Sequence, residues 1–232
     1  MIIIQILVLA TFFVFRNYTT ARVTQPKRLK NPRLQENAFQ VADLLLKEFE
    51  YIQSTATQAM NDRHTMVNFF LFITAGVVSI IGSSVLKLSG EEFTPFKESF
   101  LIAIAFFLNI IGWLYFMHLI RLRQAWWSSA EAMNQIKEFY ITNGRVPDDI
   151  ARTAFLWDSR TVPRAGKKSN VFYYSAMVIS FVSSAVLLFV SWLLSQNDAA
   201  SGISSFGYIL VVYHFVFQTL TYSLFLDYRA IR

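Results

Sequence analysis

The chain has 232 residues, of which 54% are hydrophobic, 16% aromatic and only 16% charged, with a formal net charge of +6 and no cysteine. Soluble domains carry about 25% charged residues, so a deficit confined to four segments points to an all-α, polytopic helical membrane protein. The absence of cysteine excludes disulfides, thiolate nucleophiles and cysteine-ligated metals, and the clustering of Lys and Arg beside the apolar segments reads as membrane flanks rather than a nucleic-acid surface.

Residues 1–21 open with an apolar run ended by Arg16. It is shorter than the about 20 residues a span requires, and its charge follows the run instead of preceding it as in a secretory signal. Two expectations stand: an additional, fifth membrane helix at the amino end, or an upstream start codon that adds a tail of no importance. Residues 22–35 form a basic linker with Lys27, Arg28, Lys30 and Arg33, in which Pro26 and Pro32 break any helix. Such charge suits anionic headgroups.

Over residues 36–64 a helical pattern sets in. Ala38, Ala42, Leu45, Phe49, Ile52, Ala56 and Ala59 alternate spacings of four and three, the seam of an amphipathic helix outside the bilayer. The pattern runs without a break through Asn61, Asp62, Arg63 and His64 into residues 65–86, an uncharged apolar segment long enough to cross a bilayer. Those four residues therefore mark a membrane surface. Within the span, Ala75, Ser79 and Ser83 stand at every fourth position, a small-residue face that lets another helix approach closely.

Residues 87–98 form a short turn of mixed charge with Gly90 and Pro95, and residues 99–120 form the second span, with a polar stripe of Ala105, Asn109 and Gly112. The transmembrane hairpin 65–120 then gives way, at Arg121 and Arg123, to residues 121–168 on the first side. Leu122, Trp126, Ser129, Met133, Ile136 and Tyr140 repeat the four-three seam. Two such helices leaving one hairpin are expected to pack antiparallel, residues 38–59 against 122–140, with Asp62 near Arg121 or Arg123. Trp126 and Trp127 stand where aromatic residues anchor helices at headgroups, and with Met133 and Ile136 they are candidates for binding a partner. Asn143-Gly144 is a helix stop, Pro147 opens a short helix, and Arg160, Arg164, Lys167 and Lys168 make a second basic flank.

Residues 169–226 hold the second hairpin, spans 170–196 and 206–226 joined by a loop. Ala176, Ser180 and Ser184 repeat the first span's small stripe, as a parallel duplication of hairpins would. His214, Gln218 and Thr221 share one face of the fourth span, and residues 227–232 close the chain. Nearly all Lys and Arg lie before span one, between spans two and three, and after span four, whereas the opposite side has Lys87 and Lys97 offset by Glu91, Glu92 and Glu98. The positive-inside rule then puts the carboxyl terminus in the cytoplasm.

Enzyme chemistry finds no footing. There is no GxSxG, HExxH, glycine-rich phosphate loop or paired-carboxylate motif, and the four spans contain no Asp or Glu. No cofactor and no metal is expected: His64 and His118 lie at the boundary beside Arg63 and Arg121, where histidines contact headgroups more often than haem. The polar residues inside the spans are more informative, because an unpaired polar group in hydrocarbon is costly. Asn109, His214, Gln218 and Thr221, with Ser79, Ser83, Ser180 and Ser184, either hydrogen-bond one another across the spans or line a water-filled pathway.

Over residues 36–232 the size, the helical cytoplasmic extension and the topology resemble those of the small multi-pass membrane effectors of bacterial antiviral defence systems. The resemblance implies a homo-oligomer, a cytoplasmic trigger in the form of a signalling ligand or a protein partner, and ion leakage as the output. The competing expectation is a non-conducting scaffold that recruits a cytoplasmic protein through its helical hairpin.

Overall fold

The computed structural model describes Ala10 and residues 38–87, 95–143, 167–168, 170–195 and 205–227. Apart from Ala10, which is helical, the expected amino-terminal helix and basic linker lie outside the described residues, as do the helix opened by Pro147, Arg160 and Arg164, the loop 197–204 and the tail beyond Asp227. The described residues form four helices: α1 (Ala38–Lys87), α2 (Pro95–Asn143), α3 (Val171–Ser195) and α4 (Ser205–Asp227). All four are long and apolar enough to cross a membrane.

Helices α1 and α2 run on without interruption, 50 and 49 residues respectively, through the junctions at Arg63 and Arg121. At about 1.5 Å per residue each is roughly 75 Å long, more than twice a hydrocarbon core. Their interiors contain no proline, and the one proline present, Pro95, opens α2, where its missing N–H is not needed. Glu98 in the same first turn favours the positive end of the helix dipole. Helix α3 begins one residue later than the apolar pattern suggested, because Asn170 caps it: its Oδ1 accepts from the Tyr173 N–H at 2.8 Å.

The chain divides into residues 1–47 and residues 48–232. Of the first unit, residues 38–47 are the opening turns of α1, with Leu44 and Leu46 exposed and Leu45 half-buried. Within the second unit, backbones approach closely between α2 and α3, between α3 and α4, and over a smaller area between α2 and α4. The central helix is therefore α3. Its approach to α2 depends on small residues: Ala105 packs with Leu108 and Val186, and Gly112 faces Ser183 so closely that a Cβ at Gly112 would overlap the Ser183 hydroxyl.

Helix α1 joins this three-helix unit differently. Phe70, Ile73, Val77 and Ile81 form its inner face, Phe70 against the Tyr115 ring at 5.5 Å and Ile81 with Leu101 and Leu193. Large side chains on that face keep its backbone farther from α2 than that of α3 is. The seams themselves are real. Ile52, Ala56 and Ala59 are buried, as are Leu122 and Ser129, and Trp126, Met133, Ile136 and Tyr140 are half-buried. Asp62 is half-buried. Phe72, Phe107, Phe181 and Ile209 are among many large apolar side chains exposed on the apolar segments, the surface a hydrocarbon surrounding requires.

Candidate functional site

A seam of polar residues runs through the apolar part of the α2–α3–α4 unit. It arises because α2 puts Asn109 one turn before Gly112, α3 puts Ser180, Ser183 and Ser184 on the side facing both neighbours, and α4 puts His214 and Gln218 one turn apart. All six are almost completely removed from solvent, and His214 and Gln218 have no exposed surface. Asn109 Nδ2 donates to the Ser183 carbonyl at 3.2 Å, and Ser184 Oγ lies 3.0 Å from His214 Nδ1. The cross-links therefore run from α2 to α3 and from α3 to α4. Asn109 does not bond His214 or Gln218 directly, as one expectation had it, because its amide is turned to the α3 backbone.

The seam is only partly satisfied. Ser180 Oγ, Ser183 Oγ, His214 Nε2 and both ends of the Gln218 amide have no hydrogen-bonding partner among the described residues, nor has the neighbouring Trp113 Nε1. Each buried polar group left without a partner costs about 1–3 kcal/mol, and buried water is the usual remedy. Trp113 packs edge-on against His214 at 5.8 Å and Phe217 at 5.9 Å, so one side of the seam is aromatic.

The expected polar residues thus separate into groups. Asn109, Ser180, Ser184, His214 and Gln218 come together. Thr221 is buried beside them but turns its hydroxyl back to the Phe217 carbonyl at 2.8 Å, within its own helix. Ser79 and Ser83 are elsewhere: both are exposed on the outer face of α1 and bond their own helix, at the Ala75 and Ile80 carbonyls. Sequence reasoning missed Ser183 and Trp113, although both lie within four positions of a residue it selected, and it missed Asn68, exposed in the apolar part of α1 on the same face as Ala75 and Ser79.

Comparison with protein-family models, with curated proteins and with solved structures gives no match for this chain. What the protein does has to follow from its own residues.

The junction residues form a second constellation. Arg63 of α1 and Arg123 of α2 are 2% and 3% exposed, and their guanidinium carbons lie 5.0 and 5.5 Å from the centre of the same ring, Phe172 at the start of α3. Arg123 also stacks on Trp126 at 4.5 Å, and Arg63 Nη2 bonds the neighbouring His64. His64, His118 and Arg121 are exposed. At the same end, Gln124 Nε2 donates to the Phe225 carbonyl at 3.1 Å, meeting one of the last carbonyls of α4. Trp126, Trp127, Met133 and Ile136, candidates for docking a partner, are all half-buried. The exposed apolar side chains of the polar halves in this unit are instead Tyr51 and Phe139.

Proposed function

We propose that the chain is an integral membrane protein of the bacterial inner membrane, with its carboxyl terminus in the cytoplasm, that assembles into an oligomer and lets ions cross. A cytoplasmic signal or partner acting on the polar halves of α1 and α2 controls it, as in the antiviral effectors its layout resembles. The observation that carries this reading is the incompletely paired seam of Asn109, Ser180, Ser183, Ser184, His214 and Gln218 inside apolar helices. A seam that served only to hold helices together would be more stable if every group were paired or if all were apolar, since half-satisfied networks are the least stable arrangement. Groups left with free valences in a line are suited to water or to a passing ion.

The test is ion flux from liposomes together with native mass in detergent, on wild type and on His214→Leu with Gln218→Leu. The double variant is expected to keep the wild-type mass and to change stability by no more than about 1 kcal/mol, because replacing buried, poorly paired polar groups by apolar ones is nearly neutral. Flux is expected to be lost. A variant that fails to assemble would assign the seam to structure instead.

Tyr51 and Phe139 favour a second reading, a non-conducting scaffold, because exposed aromatic residues on otherwise polar helices suit a protein partner. The same sample separates the two: a co-purifying protein and no flux under any condition would put the scaffold first.

A further inference from the structure

The inward faces of the four helices change character at one level. Arg63 and Arg123 both lie against the Phe172 ring, and from these three residues Thr74 on α1, Asn109 on α2 and Ser183 on α3 are roughly 16–21 Å along their helices. His214 of α4 reaches the same level through its contact with Ser184. One or two turns farther on, the same faces carry Ile81, Leu101, Val186 and Leu210. Thr74 Oγ1, Trp113 Nε1, Ser180 Oγ, Ser183 Oγ, His214 Nε2 and the Gln218 amide are buried without a hydrogen-bonding partner among the described residues, and all lie at this level or nearer the polar halves. Beyond it no such atom occurs among the described residues, and the buried Ser195 hydroxyl, near the end of α3, returns to the Trp192 carbonyl at 2.8 Å.

Apolar side chains fill the part beyond. Ala105, Leu108 and Val186 pack together directly past Asn109 and Ser183, and Ile81, Leu101 and Leu193 form the next layer, with Val77 and Phe189 touching both. At its other end the polar column continues to Gln218, one turn from Tyr222, which stacks on Tyr173 at 5.5 Å where α3 begins. A hydrocarbon core is about 30 Å thick, so the column covers a little over half of it and then stops. Buried water is held where it finds about two to four polar partners, and an apolar constriction excludes water and ions by dewetting. The column can therefore be wetted from the end that carries the polar halves and is sealed at the other.

We propose that water enters the seam only from the side of the polar halves, and that Leu108 and Val186 are the barrier that closes its far end. The inference deepens the proposed function by locating what has to open for an ion to cross; it rests on that reading's assignment of the four apolar segments as spans, and holds whether or not the barrier ever opens.

The chain has no cysteine, so one introduced thiol reports alone. The test uses full-length single-cysteine variants in right-side-out and inverted membrane vesicles, with silver ion in nitrate buffer as the probe and later alkylation of the surviving thiol as the readout. Gln53→Cys, at an exposed position, identifies the side of the polar halves. Ser183→Cys is expected to react at least tenfold faster from that side than from the other. Adding Leu108→Ser or Val186→Ser is expected to raise its rate from the far side at least tenfold. Adding Leu119→Ser, at a leucine that is also almost fully buried in α2 but lies nearer the polar halves, is expected to change that rate less than twofold. Should Ser183→Cys not accumulate, Ser184→Cys takes its place. The proposal is overturned if the seam thiol reacts equally from both sides or from neither, or if the Leu108 and Val186 variants behave as Leu119→Ser does. Conduction is decided separately: one-sided reaction with no ion flux from liposomes, even for Leu108→Ser, supports this inference and removes the conducting reading.

Discussion

Ala75, Ser79 and Ser83 of α1 and Ala176, Ser180 and Ser184 of α3 are the same three residue types at the same spacing, and they have opposite environments. The α3 stripe is buried between α2 and α4, and the α1 stripe is exposed along its whole length. A Cβ added at Gly76, beside the α1 stripe, would meet nothing within 4 Å, whereas one at Gly112, facing α3, would displace the Ser183 hydroxyl. Small residues at every fourth position thus permit a close approach without saying whether it is made inside the subunit. What separates the stripes is the rest of each helix. On α1 the seam of Ile52, Ala56 and Ala59 continues at the same spacing through Arg63 and Phe70 to Val77, on the opposite face to the stripe, and a continuous helix carries that register inward. On α3 the buried neighbours Ile179, Ser183 and Leu187 lie on the stripe's own side.

The matched positions give the strongest way to break this comparison. Ala176→Leu forces a large side chain into the contact at the centre of the bundle and is expected to destabilise the protomer by about 3 kcal/mol, the upper part of the usual range for overpacking. Ala75→Leu is expected to stay within about 0.5 kcal/mol, as exposed substitutions do. Unfolding in detergent, followed by tryptophan fluorescence, measures both. Equal effects would mean that the two stripes are used alike. Gly112→Val examines the partner face of the same contact. The Ser183 hydroxyl can rotate away from one added carbon but not from a branched side chain, so a loss of about 2 kcal/mol is expected, with little change for Gly112→Ala.

The four apolar helices of the described residues, the unbroken junctions at Arg63 and Arg121, and the inner faces of the polar halves were all legible in the sequence, because each follows from periodicity within one helix. The partners were not. The small residues that decide which helices meet closely belong to α2 and α3, while the small stripe of α1, read in the same way from the sequence, is exposed. The two stripes that suggested a parallel duplication of hairpins are buried in α3 and exposed in α1. Within the polar seam, residue types were readable and pairings were not: nothing in the spacing of Asn109 and His214 indicates that both would bond to α3.

A smaller effect sharpens the buried stripe from within. Ser184→Ala removes the hydroxyl that meets His214 Nδ1 and leaves the imidazole with neither nitrogen paired. The expected cost is about 1 kcal/mol, the net worth of one such hydrogen bond, read by the same unfolding measurement. A much larger loss would show that His214 is held by that bond alone, and no loss would mean that other groups or water already satisfy it.

The smallest expected change in protomer stability carries the most information about function. Ser79→Leu with Ser83→Leu adds bulk to a face that is exposed in the subunit, and each serine now bonds only its own helix, so the protomer loses no contact between helices. Its unfolding is expected to match wild type. If the protein assembles through this face, with Asn68 on the same side to hydrogen-bond across it, native mass in detergent should fall from oligomer to protomer, because two leucines keep the backbones beyond the distance that small residues permit. Flux should fall with it if conduction needs the assembly, and should persist if each subunit's buried seam conducts alone. An unchanged mass would remove α1 from the interface and leave its exposed stripe facing lipid, where serines already satisfied by their own carbonyls are tolerated at little cost.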